Sequence, residues 1–357
     1  MTTLIVTGAA GFIGSALCRY LRSRDVARVV GVDKMTYASS RESLDDLKDD
    51  PSFRLIERDI CDSAAMSALM ADVRPDGIIH LAAETHVDRS IDGPAAFIQS
   101  NIVGTFTLLE CARHYRERTP EKKDSFRFLH VSTDEVYGSL GPEGAFSETT
   151  LYAPNSPYAA SKAAADHLAR AWHKTYGLPV LISNCSNNYG PFQFPEKLIP
   201  LCITKALNGE SLPIYGQGAN VRDWLFVDDH AEALHILFAK GRIGEKYNVG
   251  GNAERRNIDL IRDLCAALDD LLPSSAHKPH NQLIAFVADR PGHDERYAMD
   301  FTKLKRETGW SPRTPLAEGL RQTVRWYLDN RDWCEAIRAR KYKGERLGRA
   351  SSAGSGA

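Results

Sequence analysis

Residues 3–21, TLIVTGAAGFIGSALCRYL, decide the fold. A short apolar run is followed by a turn carrying Gly8, Gly11 and Gly14, then by a helical pattern. A strand that turns this tightly into a helix needs glycine where φ is positive, where backbone must approach a ligand, and where helix packs on strand. The helix N-terminus then offers unpaired N–H groups and a partial positive charge, which suit a pyrophosphate. The G-x-x-G-x-x-G spacing differs by one residue from the commoner G-x-G-x-x-G.

The next apolar run, Arg28–Val32, ends at Asp33, and 19 residues separate that acid from Gly14. An acid there can bind the adenosine ribose hydroxyls and repels a 2′-phosphate, so NAD is expected over NADP. Asp59 and Ile60 close the following run, Arg54–Glu57, where a pair contacting adenine would lie. Gly77–Leu81, Phe126–Ser132 and Val180–Asn184 complete six short strands alternating with helical patterns, which predicts a parallel sheet. After Pro94, Ile98, Ile102, Thr105, Leu109 and Ala112 share one helical face; Ser156 and Pro157 cap and open another helix.

The fold class expected is α/β: a Rossmann-like doubly wound parallel sheet with a smaller C-terminal α/β substrate domain. Residues 1–185 with about 221–250 are expected to form the NAD-binding domain, including a strand at Trp224–Val227. Residues 186–220 and 251–345 would form the second domain, and 346–357 a disordered tail.

Composition narrows the function. With 45 basic and 46 acidic residues the formal charge is -1, which argues against general nucleic-acid binding. No apolar run approaches the roughly 18 to 20 residues of a membrane span, and no signal peptide is apparent. Seven scattered cysteines without a C-x-x-C pair read as thiols of a reducing compartment, so the cytoplasm is expected. His80, His86 and His130 lack ligand spacing, and no metal is expected.

Tyr158 and Lys162 are four residues apart, hence on one face of the helix opened by Pro157. A free tyrosine titrates near about 10; a neighbouring ammonium, helped by a cationic nicotinamide, would lower that. The pair can then take a proton from a hydroxyl whose carbon gives up a hydride. Thr133 ends its strand at the carboxyl edge, where open α/β sheets bind ligands. Asp134 and Glu135 follow directly. Two carboxyls with pKa values pushed apart supply the acid and the base that elimination of water requires, whereas hydride transfer alone needs only one such group. A solvated acidic turn is the alternative.

Nearly the whole chain, from about residue 3 to 345, resembles the extended short-chain dehydrogenase/reductases, and within them the nucleotide-sugar 4,6-dehydratases. GAAGFIG (8–14), VDKMTYA (32–38), HLAAETHVDRSI (80–91), STDEVYG (132–138), YAASK (158–162) and NCSNNYGPFQFPEKLIP (184–200) carry the resemblance. LPIYGQGANVRDWLFVDDH (212–230) and DRPGHDERYAMD (289–300) also match; Thr85, where serine is expected, and Gln217, where an acid is commoner, depart from the pattern.

The resemblance implies a redox-neutral NAD-dependent lyase acting on dTDP-glucose, with Thr133, Asp134, Glu135, Tyr158 and Lys162 catalytic. It adds Phe12, Ile13, Lys34, Thr36, Leu81, Ala82 and Ala83 to the cofactor site. For the substrate it implies Thr85, His86, Asn187, Glu196, Lys197, Leu198, Pro213, Tyr215, Arg222, Asn257, Arg290, His293 and Tyr297. It also implies a homodimer whose helices after Pro94 and Ser156 form a four-helix interface. A 4-epimerase, another nucleotide-sugar dehydratase and an NAD-binding scaffold without chemistry remain the competing readings.

Overall fold

The structure is a computed structural model and describes residues 1–290 and 292–340; the tail expected at 346–357 lies outside the described residues. Its strands are β1 (Thr2–Thr7), β2 (Ala27–Asp33), β3 (Phe53–Glu57), β4 (Gly77–His80), β5 (Arg127–Thr133) and β6 (Val180–Cys185). Then follow β7 (Asn187–Tyr189), β8 (Leu212–Tyr215), β9 (Val221–Phe226), β10 (Lys246–Val249), β11 (Glu254–Arg256) and β12 (Ile284–Val287). The helices are α1 (Phe12–Ser23), α2 (Ser63–Val73), α3 (Val87–Asp92), α4 (Pro94–Phe97), α5 (Gly104–Arg118) and α6 (Pro157–Tyr176). After them come α7 (Leu198–Leu207), α8 (Val227–Lys240), α9 (Asn257–Leu271), α10 (Thr302–Thr308), α11 (Leu316–Asp329) and α12 (Arg331–Arg340).

The main sheet has seven parallel strands in the order β10-β6-β5-β4-β1-β2-β3. Apart from the edge strand β3, its strands are largely buried on both faces, which is why they read as continuous apolar runs. Leu17, Cys18 and Leu21 of α1 pack with Leu234 and Leu237 of α8 on one face. Met66, Met70, Leu108, Leu109 and Ala169 from α2, α5 and α6 cover the other. This is the doubly wound, Rossmann-like arrangement. The chain reverses direction across the sheet between β1 and β4, so a crevice opens at the carboxyl ends of these strands.

A second core gathers Tyr189, Ile203, Ile214, Trp224, Leu260 and Leu320 from β7, α7, β8, β9, α9 and α11. Here one expectation is corrected. The strand expected at Trp224–Val227 does not extend the main sheet; β9 pairs with β7 and β11 in a separate three-stranded sheet, while β10 and α8 do join the first core. The pairing partners lie far apart in sequence, so local pattern could not show them. The helix after Pro94 is also not uniform. A π-helical turn spans Ile98–Val103, and the wider turn rotates the following residues, leaving Ile98 exposed while Asn101 and Thr105 are buried. Ser156 caps α6 by accepting from the Ala159 amide at 3.0 Å, with Pro157 in the first turn. All seven cysteines are free, and all but Cys61 are buried. No described helix is long and apolar enough to cross a membrane.

Candidate active site

The glycine turn is fixed by contact as much as by torsion. Gly8 sits at φ +71°, and a Cβ there would lie 2.8 Å from the Ala82 nitrogen. At Gly14 a Cβ would stand 2.0 Å from the Gly8 carbonyl oxygen, so only glycine lets α1 come this close to the end of β1. Gly11 is the N-cap of α1 and has no side chain to satisfy the first-turn amides. Phe12, Ile13 and Gly14, whose amides are thereby left open, line a cavity of about 270 Å³ together with Gly8 and Gly11. That donor cradle fits a pyrophosphate.

Asp33, Lys34, Thr36, Ile60, Leu81, Ala82 and Ala83 line the same cavity. The Asp33 carboxylate accepts from the Ala10 amide at 3.0 Å, the Met35 amide at 2.8 Å and the Ser39 hydroxyl at 2.7 Å. A carboxylate has about four lone-pair sites, so capacity remains for a ribose hydroxyl. Asp59 does not line the cavity; its side chain accepts from the Cys61 amide, and Arg58 takes the place expected for it. Ser39, Arg58, Ser100 and Phe194 also line the wall and were not anticipated.

The five catalytic candidates all reach this cavity. The Lys162 ammonium donates to the Val131 carbonyl at 2.8 Å, which fixes α6 against β5. Thr133 accepts from the Glu135 amide at 3.3 Å and donates to Asp134 at 3.2 Å. Burial, reinforced by Glu135 and Asp223, pushes Asp134 well above the usual carboxylate range, against the pull of Arg222. Glu135 is raised too, chiefly by burial, but Arg290, Arg222 and Lys197 favour its ionised form. Asp134 is thus pushed toward its acid form, while Glu135 faces cations that favour its ionised form. Tyr158 departs from expectation. Burial first, then Glu135 and Cys185, raise its pKa well above 10.0, and only the Thr133 hydroxyl is a named opposing influence. Within the protein alone the group rests as a phenol.

Glu135 also lines a second cavity, of about 450 Å³, and so stands at the junction of the two. Thr85, His86, Asn187, Glu196, Lys197, Leu198, Pro213, Tyr215, Arg222, Asn257, Arg290 and His293 line this second cavity. Tyr297 does not. It is buried behind the wall, its ring 4.1 Å beneath the Arg222 guanidinium and its hydroxyl bonded to Asp294. Arg222 is held by the Asp294 carbonyl at 2.8 Å, and Arg290 by Asp88 at 2.8 Å. Asp88 also accepts from Tyr215 at 2.9 Å; this positioning acid lies inside the HVDRSI motif but was not singled out from sequence. Glu196 accepts from Arg89 at 2.9 Å, and Lys197 donates to the Thr85 carbonyl at 3.0 Å. The Oδ1 atoms of Asn187 and Asn257 are buried without a partner, so the wall carries polar capacity that a ligand can satisfy. Among the described residues no group of His, Cys, Asp and Glu is arranged to hold a metal ion.

A family model described as GDP-mannose 4,6 dehydratase matches residues 5–323. The chain is 55% identical over 349 residues to the dTDP-glucose 4,6-dehydratase of Xanthomonas campestris pv. campestris, covering 98% of this chain and 99% of that one. Among solved structures, a dTDP-glucose 4,6-dehydratase from Streptomyces venezuelae with NAD bound is 45% identical, with a TM-score of 0.85 over 94% of this chain and 100% of that one. A UDP-glucose 4-epimerase from Thermotoga maritima shares the fold at 28% identity and a TM-score of 0.80, over 92% of this chain and 99% of that one.

Proposed function

The chain belongs to the GDP-mannose 4,6 dehydratase family, and we propose that it converts dTDP-glucose to dTDP-4-keto-6-deoxyglucose and water as an NAD-dependent hydro-lyase. The observation that carries this is Glu135 at the junction of the two cavities, beside a buried Asp134 whose pKa is raised by that burial, and in the same cavity as Tyr158 and Lys162.

NAD supplies a hydride acceptor that gives the same hydride back, so the overall reaction is redox-neutral. Gly8, Gly11, Phe12, Ile13 and Gly14 would hold its pyrophosphate and Asp33 its ribose, with Leu81, Ala82 and Ala83 lining the same cavity. Tyr158 takes the proton of the sugar's 4-hydroxyl, with the Thr133 hydroxyl alongside. Lys162 is the cation in this chain that favours the phenolate so formed. The resulting 4-ketone acidifies the proton on carbon 5, which Glu135 removes. Asp134, whose pKa is raised by burial, gives its proton to the departing 6-hydroxyl and water leaves; return of the hydride to carbon 6 and of the proton held by Glu135 to carbon 5 then completes the 6-deoxy product. Arg222 and Arg290 provide guanidinium donors suited to the diphosphate, and Asn187 and Asn257 provide polar groups still in need of partners.

The dinucleotide half is then residues 1–185 with 227–249, and the sugar half is formed by 186–226 with the segments after 250. A homodimer is part of the reading. It is supported by Ile98, Val103 and Phe106 exposed along the π turn and α5, and by Tyr176 exposed at the end of α6. Seven free cysteines support a cytoplasmic setting.

Incubation with dTDP-glucose without added NAD tests the proposal. A product lighter by one water supports it. Conversion to the galacto isomer at unchanged mass would make the chain an epimerase, and no turnover of any nucleotide sugar would leave only a scaffold.

A further inference from the structure

Between the two cavities runs the segment 190–197, GPFQFPEK. Gln193, Glu196 and Lys197 line both cavities, and Phe194 lines the dinucleotide one. Just ahead of them Phe192 has φ +65°, in the left-handed region that favours glycine. A bulky residue there disfavours its own conformation by roughly 10- to 100-fold, so the surroundings must hold it. They do so through the ring. The Trp326 ring of α11 lies 4.4 Å from it, centre to centre, and the Trp333 ring of α12 meets it edge-on at 5.9 Å. The Arg19 guanidinium of α1 covers it at 4.3 Å and also donates to the Ser43 carbonyl.

The residues after Phe192 are fixed in turn. The Tyr327 hydroxyl donates to the Gln193 carbonyl, and the Gln193 side-chain amide donates to the Asn188 carbonyl at 2.9 Å. Phe194 meets the Tyr37 ring edge-on at 5.7 Å. The Lys197 amide donates to the Phe194 carbonyl at 3.1 Å, closing a turn that brings Glu196 and Lys197 to the junction Glu135 also lines.

We infer that Phe192 is a positioning residue for the substrate: a box built from α1, α11 and α12 clamps its left-handed backbone and thereby sets where Glu196 and Lys197 stand. The inference rests on the second cavity holding the sugar nucleotide, as proposed above. Phe192, Arg19, Trp326 and Trp333 line neither cavity, so their effect on a ligand passes through the segment. Stacking on two indoles and a guanidinium gives the ring the attraction that offsets the backbone cost.

Phe192→Ala keeps the backbone cost and removes the clamp. Titration should then show dTDP-glucose binding weakened about tenfold, with a smaller loss for NAD, and Phe192→Tyr, which keeps the ring, should restore it. Three results would overturn the inference: Phe192→Ala melting lower yet binding dTDP-glucose like the native chain, equal losses for both ligands, or Phe192→Gly matching the native chain. A second readout needs no substrate. In Phe192→Ala, hydrogen exchange at the Lys197 amide should quicken about tenfold while the main sheet stays protected. Unchanged exchange there would overturn the inference. A native chain that binds no dTDP-glucose would instead count against the proposed reaction, while exchange still decides this point.

Discussion

Exchanging Gly14 or Gly11 for alanine separates strain within the protein from obstruction of its ligand. At Gly14 the added methyl meets the Gly8 carbonyl oxygen at 2.0 Å, the Gly8 carbonyl carbon at 2.8 Å and the Ala9 Cα at 3.0 Å, all backbone. Nothing flexible can yield, so the turn itself must open. Overpacking of this kind costs about 3 kcal/mol, partly offset by about 1 kcal/mol of helix propensity. The net loss of about 2 kcal/mol lowers the melting temperature of the NAD-free protein by roughly 3 °C. At Gly11 the methyl meets only the Gly8 oxygen, at 3.3 Å, and the main cost to the free protein is a poorer N-cap, about 1 kcal/mol. The same methyl projects at the helix end where the pyrophosphate seats, so Gly11→Ala should lose NAD affinity by far more than it loses stability. Melting curves of NAD-free protein, paired with titration of NAD, give both numbers for each variant. Equal melting losses for the two variants, or undiminished NAD binding by Gly11→Ala, would refute this division of labour.

Glu135→Gln should block elimination yet still transfer hydride, giving a nicotinamide absorbance rise on adding dTDP-glucose without loss of water; absence of that rise would remove Glu135 from its role as the later base. Asp134→Asn should slow elimination and also change the pH dependence of stability. The folded-state pKa of Asp134 lies well above its ordinary 3.8, so the native state keeps a proton that the unfolded chain releases. The contribution of Asp134 to native stability therefore falls as pH rises from about 4 toward that raised folded-state pKa. The asparagine variant lacks that fall, and its melting temperature relative to the parent should climb over the same interval. Phe106→Asp, on an exposed apolar stretch, should leave the dinucleotide cavity intact and shift sedimentation toward the monomer.

The six strands of the first half were legible because all but the edge strand β3 are largely buried on both faces and each is bounded by turns, and the glycine turn because its constraints are local. Strand partnership was not. Trp224 sits in an apolar run that looks like any other, and only its distant partners Asn187 and Asp223–Glu254 pairing reveal a separate sheet. Asp59 and Tyr297 show the same limit at the site. Asp59 closes its strand and Tyr297 sits in a matching motif, yet one faces a neighbouring turn and the other supports Arg222 from behind. Asp88 escaped notice because its value comes from the residues it holds, 202 positions away for Arg290, and not from a pattern around itself. The lowered Tyr158 pKa was inferred from a nearby ammonium, whereas burial dominates in the folded chain.

Asp134 and Glu135 occupy one short turn at the end of β5, whereas Arg222 belongs to β9 and Arg290 to the segment after β12. The distance between acid and base is therefore built into a single piece of backbone and does not depend on how the sugar half settles. The charge felt by the base does depend on it, since Arg222 and Arg290 both act on Glu135. Seating the nucleotide's phosphates against those guanidiniums would draw their field away from Glu135 and make it a stronger base once substrate is in place. The nucleotide end of the substrate would thus serve as the electrical trigger for the chemistry on its sugar end.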